Sequence, residues 1–311
     1  MDFPADEVDV ANCHHAGNSI MGLPNQPPPR RSWAVPELPE VETIVRQLRP
    51  ELVGRRIESV RVHWPRSIAR PSARSFCADL VGARIEKVWR RAKYFVFSIE
   101  SGGHVVGHLR MSGRLYVGDG PDPDYLRVSF QLDDGRQLSF VDVRKFGRLA
   151  LVDDVEAFLP HIGPEPLGPD LTPEWMRREL RARRRQLKPL LLDQSFLAGL
   201  GNIYVDETLH QAGLHPLRRS DRVPGARAEE LALCIRDVLS KAVKAEGSSF
   251  DTFYRTPEGQ PGAYQEDFQV YGRDGKPCRS CGTLITKLVV AQRGTHVCHR
   301  CQPAPRPRRR P

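Results

Sequence analysis

Long apolar runs are missing from this 311-residue chain. The uninterrupted ones are only a few residues, Leu190 to Leu192 among them. None approaches the roughly 20 residues that cross a bilayer, which argues against a membrane protein. The N-terminus is acidic and has no apolar core, so no secretory signal is expected there. Cysteine is sparse: of seven, Cys13, Cys77 and Cys234 are scattered and the other four form two tight pairs. That usage suits a cytoplasmic, reducing compartment, where paired cysteines favour metal over disulfide. No internal repeat is visible, which excludes solenoids and propellers. Acidic residues are outnumbered, 38 against 47 Lys and Arg, for a formal charge of +9.

That excess is unevenly spread. Residues 1–35 carry Asp2, Asp6, Glu7 and Asp9 against Arg30 and Arg31, so the surplus lies in the rest. Arginines cluster at Arg177, Arg178, Arg181 and Arg183–Arg185, and again at Arg306 and Arg308–Arg310. Such clusters suit a polyanion, because neutralised phosphates release counterions; a merely solvated basic face fits the charge about as well. The length accommodates about two domains.

Residues 1–35, with Asn25-Gln26-Pro27-Pro28-Pro29, show no periodic apolar pattern and read as a disordered extension. Val41, Ile44, Val45 and Leu48 form one helical stripe, with Glu40, Glu42 and Arg46 on the polar face. Strand-like stretches follow at Arg56–Trp64, Arg84–Ile99, His104–Val117, Leu126–Leu132 and Gln137–Val141. The last two flank Asp133-Asp134-Gly135-Arg136, a hairpin signal. One helix followed by antiparallel strands predicts an α+β fold with a sandwich over 36–162. A Pro-rich linker begins at Gly163. Helices are expected at Trp175–Arg184, Pro189–Asp193, Ile203–Ala212 (with Asn202 as N-cap) and around Leu231–Ala242. This helical region extends to 268, a finger occupies 269–302, and a basic tail 303–311 ends the chain.

Cys278-x2-Cys281 and Cys298-x2-Cys301 stand sixteen residues apart, the two-pair zinc spacing. Four thiolates leave no open coordination position, so one Zn2+ here is structural, not catalytic. The turn Gly199-Leu200-Gly201-Asn202 could let backbone N–H groups approach a phosphate, although glycines at such a joint more often just pack.

Taken together, these motifs resemble the formamidopyrimidine-DNA glycosylase family. The resemblance is carried by Pro36-Glu37-Leu38-Pro39-Glu40-Val41-Glu42, Arg90-Arg91-Ala92-Lys93-Tyr94, His108-Leu109-Arg110-Met111-Ser112-Gly113 and Asp142-Val143-Arg144-Lys145-Phe146-Gly147. Ile162 to Leu167, Gly199 to Glu207 and Gln269 to Cys301 continue it in order over about 36–302. It implies a helix and β-sandwich domain, a helix–two-turn–helix module and a zinc-finger hairpin, acting as a monomer on damaged double-stranded DNA. The implied activity is excision of oxidised purines followed by strand cleavage. Pro36 would be the nucleophile, Glu37 its acid/base, and Lys93 and Arg293 would serve phosphate and elimination. Met111, Arg144 and Phe146 would fill the gap left by the extruded base, with Lys188 and Asn202 on the backbone. Tyr125 or Arg127 stands where many relatives have a DNA-contacting histidine, and Arg183 falls in a run aligned with a phosphate contact. Val143 replaces the usual proline, and the loop Thr256–Tyr264, expected over the extruded base, is only partly family-like.

The chemistry explains why such residues are needed. A base inside a duplex must leave the stack before its C1′ can be attacked, at a cost of a few kcal/mol. A backbone α-amine titrates near pH 8, far below lysine, so a neutral fraction exists at physiological pH. Proline's secondary amine forms an iminium with no N–H proton to lose, which acidifies C2′ and permits elimination. Pro36 preceded by residues 1–35 would be an amide, not an amine. A GTG codon for Val35, read as an initiating Met and trimmed, would free it. Two other readings are an endonuclease VIII-like enzyme for oxidised pyrimidines and, with residues 1–35 retained, a non-catalytic DNA-binding module.

Overall fold

The structure, a computed structural model, describes residues 35–118, 123–249 and 254–305. The expected disordered extension, apart from Val35, and most of the basic tail lie outside these residues. Everything described belongs to one compact unit, Trp33–Pro311.

The chain opens with α1, Leu38–Leu52. Its stripe of Val41, Ile44, Val45 and Leu48 is buried, as the periodicity predicts. Glu40, expected on the polar face, is 2 % exposed and points inward. Two sheets follow. One has the order β1-β7-β8-β6 and comprises β1 (Ile57–Val62), β7 (Leu126–Leu132), β8 (Gln137–Asp142) and β6 (Gly113–Val117). The other has the order β2-β9-β5-β4-β3 and comprises β2 (Ile68–Arg70), β9 (Arg148–Val152), β5 (His104–His108), β4 (Tyr94–Ile99) and β3 (Ile85–Arg91). A helix not read from sequence, α2 (Ala73–Leu80), starts at the N-cap Ser72. Phe76 of α2, Phe95 and Phe97 of β4, and Phe130 and Phe140 of the facing sheet share one core with the α1 stripe.

Two of the strand-like stretches are each divided between two strands. Arg84–Ile99 becomes β3 and β4, turned at Ala92 and Lys93. His104–Val117 becomes β5 and β6, which lie in different sheets, with Met111 on the crossing loop. The Asp133–Arg136 turn joins antiparallel β7 and β8, as expected.

A short α3 (Val155–Phe158) leads into the Pro-rich segment. The helical part comprises α4 (Pro173–Ala182), α5 (Leu187–Leu191), α6 (Asn202–Gln211) and α7 (Gly225–Lys244). Their core includes Tyr204, Leu239 and Phe268, and Leu38 of α1 joins it, which fixes the first helix to both layers. Strands β10 (Thr286–Val290) and β11 (Arg293–Val297) form a separate antiparallel hairpin over its own small core of Val270, Ile285 and cysteines. No described helix is long and apolar enough to cross a membrane.

Candidate active site and nucleic-acid interface

The start of α1 meets the start of α6. Glu37 is the N-cap of α1, and its backbone N–H donates to Glu40 Oε2 at 2.8 Å. Its carboxylate reaches across to α6: Oε1 accepts from Ile203 N at 2.9 Å and Oε2 from Tyr204 N at 3.4 Å. The positive end of α6 is therefore occupied by a carboxylate of this chain, which corrects the idea that the Gly199–Asn202 turn presents these amides to phosphate. The glycines serve that approach. A Cβ on Gly201 would lie 2.7 Å from Glu37 Cγ and closer still to its carboxyl carbon. Gly199, at φ +82°, leaves room for Leu38, whose N–H donates to its carbonyl at 3.1 Å. Gly201, not Asn202, is the α6 N-cap. Asn202 Nδ2 donates instead to Gly294 O of the hairpin at 3.1 Å.

Burial raises Glu37 from the usual carboxylate range to about 7, opposed by the charge of Lys93 and the two α6 amides. Burial lowers Lys93, against the pull of Glu37 and Glu40, and the charge of Arg293 lowers it further. Glu37, Lys93 and Arg293, distant in sequence, thus share one electrostatic neighbourhood. Pro36 is buried beside them and, following Val35 in this chain, its nitrogen is an amide.

Lys93 is placed by the Pro-rich segment. Glu165 accepts from Arg90 Nη1 at 2.7 Å, Arg91 Nη1 at 3.2 Å and Ala92 N at 2.5 Å. These bonds hold the turn in which Ala92 takes a left-handed φ of 53°. Such a backbone is costly for a residue with a Cβ and persists where surrounding contacts enforce it.

A second, more open group forms at the ends of β6 and β8. Arg144 Nη1 lies 3.2 Å from Met111 Sδ, and its guanidinium sits 4.8 Å from the Phe146 ring centroid. Phe146 is 47 % exposed. Buried Asp142 holds both loops: it accepts from Ser112 Oγ at 2.5 Å, Arg144 N at 3.1 Å and Gly147 N at 2.6 Å. Arg110 and Lys145, the neighbours of Met111 and of Arg144 and Phe146, have φ of 55° and 60°. Arg127 is buried and donates from Nε to Asp142 O at 2.8 Å, so it braces this turn. Tyr125 is 39 % exposed at the head of β7.

Two expected phosphate contacts are otherwise engaged. Lys188 is 0 % exposed and bonds Asp206 Oδ1 at 2.6 Å and Gly294 O at 3.1 Å, so it is no free surface cation. Arg183 is paired with Glu179 and packs over Phe196 at 5.1 Å. Arg293 is exposed at the start of β11, after Ala291 and Gln292 at φ 48° and 61°.

Residues that sequence reasoning missed are mostly buried acids. Glu40 Oε1 accepts from Tyr204 OH at 2.5 Å and Ser248 N at 2.8 Å, joining α1, α6 and the segment after α7. The Glu37-x-x-Glu40 capping spacing was the available signal. Asp142 and Asp206 carried none beyond their motifs.

The four Sγ atoms of Cys278, Cys281, Cys298 and Cys301 lie within 4.8 Å of one another. Cys278–Cys301 is 3.9 Å and Cys281–Cys298 3.4 Å, close to the edges of a tetrahedron with Zn–S bonds of about 2.3 Å. They hold one structural zinc. His210 Nε2 lies 3.6 Å from Cys278 Sγ, tying the site to α6.

A buried carboxylate–lysine pair, an exposed apolar and cationic turn, and a zinc hairpin carrying an arginine define a class: proteins that handle nucleic acid and do acid–base chemistry on it. Comparison with known proteins narrows the class. The formamidopyrimidine-DNA glycosylase N-terminal domain matches residues 35–149, the H2TH domain of the same enzymes 162–254, and a zinc finger found in FPG and IleRS 275–304. The formamidopyrimidine-DNA glycosylase of Symbiobacterium thermophilum is 46 % identical over 278 residues, covering 87 % of this chain and 90 % of that one. That of Protochlamydia amoebophila is 43 % identical over 274 residues, 86 % and 99 %. Lactococcus lactis Fpg in complex with DNA containing an abasic site superposes with a TM-score of 0.81 at 37 % identity, covering 86 % of this chain and all of that one. The Lactococcus lactis complex with Fapy-dG-containing DNA gives 0.79 with the same identity and coverage. The chain belongs to the formamidopyrimidine-DNA glycosylase family.

Proposed function

We propose that this chain excises oxidised purines from double-stranded DNA and cleaves the strand at the resulting abasic site, with the amine of Pro36 as nucleophile. The observation that carries this reading is the convergence of Glu37, Lys93 and Arg293 beside Pro36. The Lactococcus lactis relatives bound to abasic-site and Fapy-dG DNA support the substrate class. The enzyme works in the cytoplasm, on the DNA of the nucleoid.

The reaction needs Pro36 as a free secondary amine, and hence a form that begins there. Its lone pair attacks C1′, and the C1′–N bond breaks as Glu37 supplies a proton to the departing base. Near pH 7 a useful share of Glu37 is still protonated, which an ordinary carboxyl would not be. The Pro36 N–H proton passes through the Glu37 carboxylate to O4′ as the C1′–O4′ bond breaks, leaving a ring-opened iminium that acidifies C2′. Loss of the C2′ proton expels the 3′ phosphate, and loss of the C4′ proton in a second elimination expels the 5′ phosphate. Lys93, cationic or neutral according to its partners, and Arg293 on the hairpin are placed to neutralise the phosphates that leave. Met111, Arg144 and Phe146 occupy the vacated stack, repaying part of the extrusion cost. Tyr125 lies on the DNA-facing side in this reading. Lys188, Asn202 and Arg183 are left out of the direct phosphate contacts, because the structure engages each elsewhere.

The test is a duplex panel given to protein that begins at Pro36. Release of 8-oxoguanine and formamidopyrimidines with strand scission is expected. Efficient excision of oxidised pyrimidines with no action on the purine lesions would establish the endonuclease VIII-like alternative instead.

A further inference from the structure

Arg293 stands at the start of the second strand of a two-stranded hairpin, which has to bring it to a particular phosphate. The contacts that hold this hairpin to the helical part converge on the residues just after it. Gly294 O accepts from Asn202 Nδ2 and from Lys188 Nζ, both at 3.1 Å. The backbone N–H of His296 donates to Asp206 Oδ2 at 2.9 Å. Asp206 Oδ1 in turn accepts from Lys188 Nζ at 2.6 Å. Asp206 is 1 % exposed on α6 and is therefore bonded at once to α5, through Lys188, and to β11, through His296.

We infer that Asp206 is a positioning residue for Arg293: its carboxylate seats the hairpin backbone and aims Lys188 at the carbonyl next to Arg293. The inference rests on the proposed role of Arg293 at the phosphates of the abasic site.

Three physical points support it. A buried lysine that loses its carboxylate partner tends to lose its charge or leave the interior, so removing Asp206 weakens the charge-assisted hold of Lys188 on Gly294. The bonds engaged lie just beyond Arg293 on its own strand: Gly294 is one residue on and His296 three. Arg293 is electrostatically coupled to both Lys188 and Lys93, so a small swing of the hairpin changes its distance to the reacting phosphates. Misplacement by about 1 Å is enough to cost on the order of 100-fold in a positioned reaction.

The experiment uses zinc-loaded protein beginning at Pro36 and an end-labelled abasic duplex. Wild type, Asp206→Asn, Arg293→Ala and the double variant of these two are compared for three readouts: zinc content, borohydride-trapped yield, and the ratio of doubly eliminated to singly eliminated product. Asp206→Asn is expected to keep its zinc and to trap within about threefold of wild type, while the product ratio falls at least about fivefold toward that of Arg293→Ala. The double variant should be no worse than Arg293→Ala alone, since the two act as a unit. A second variant, Lys188→Met with Asp206→Leu, removes both charges without stranding either, and should show the same fall in ratio with the fold intact. An unchanged ratio in either variant, or zinc and trapping lost in proportion to the ratio, overturns the inference. A wild-type protein that traps no abasic DNA would instead overturn the proposed function, and this inference with it.

Discussion

The groups proposed for bond breaking and those proposed for the gap are built in opposite ways. Glu37 and Glu40 are 3 % and 2 % exposed, and their carboxylates are hydrogen-bonded by this chain's own amides and hydroxyls. Phe146 is 47 % exposed, and the Arg144 side chain lies against both Met111 and the Phe146 ring. Burial serves acid–base chemistry, because desolvation is what moves a carboxyl toward neutral pH. Exposure serves gap filling, because an apolar side chain already packed in a core could not be lent to a base stack. What the two regions share is support from behind: Glu165 beneath Lys93, Asp142 beneath Arg144, each gathering several donors around a left-handed residue.

The contrast predicts which substitutions separate excision from later steps. Glu37→Gln should lower release of 8-oxoguanine by about 100- to 10,000-fold, the range for a lost general acid. It should also remove the limb of the pH profile near 7. The sign follows from the raised value: the protonated carboxyl is the donor, so excision falls as pH rises through about 7 in wild type. Cleavage of a ready-made abasic site, which has no base to protonate, should suffer far less. Single-turnover rates on the two duplexes across pH 5.5–9 check both points, at roughly half-unit steps.

Losing the finger comes next. Cys278→Ser should release the zinc and abolish tight binding of abasic duplex, since metal binding is folding energy for so small a unit. Elemental analysis alongside a binding titration checks this; full affinity with no zinc contradicts it.

Gly201→Ala sharpens the comparison from the buried side. The added methyl collides with the Glu37 side chain and not with backbone, so the protein should stay folded while the carboxyl leaves the α6 amides. Excision should fall by on the order of 100-fold, with a thermal midpoint shifted by only a few degrees. Loss of the fold itself would mean that the glycine matters for packing and not for the acid.

Phe146→Ala tests the exposed side and should do least, about tenfold on an 8-oxoguanine duplex, or roughly 1.4 kcal/mol of the few that base extrusion costs. Pre-formed abasic DNA should be affected less. Equal slowing on both substrates would mean that Phe146 has some task other than filling the gap.

Much of this was legible in the sequence because the signals were local. The α1 stripe, the Asp133–Arg136 hairpin and the cysteine pairs each depend on spacing within a few residues, and the structure has them. What escaped depends on which faces meet. The capping spacing to Glu37 marks Glu40 as part of the helix start but does not place it on the inner side of α1, since Val41, Ile44 and Val45 mark the stripe without marking its width. The break of His104–Val117 into two sheets is invisible because both halves are β-rich and only the crossing loop distinguishes them. Only the resemblance assigns Lys188 and Asn202 to phosphates, and no local pattern shows that both also bond the carbonyl of Gly294 on the finger hairpin. The Gly199–Asn202 turn signalled close approach correctly, but the approaching group is Glu37.

The central claim is that the Pro36 amine attacks the sugar, and the direct measurement is covalent trapping with site identification. Protein beginning at Pro36 and protein retaining residues 1–35 are each incubated with abasic duplex and borohydride, and the adduct is mapped by mass spectrometry of its peptides. The account predicts a stable adduct on the Pro36 nitrogen in the first protein and none in the second, whose Pro36 nitrogen is an amide. An equally strong adduct in the extended protein, or one mapped to Lys93 in both, would contradict it.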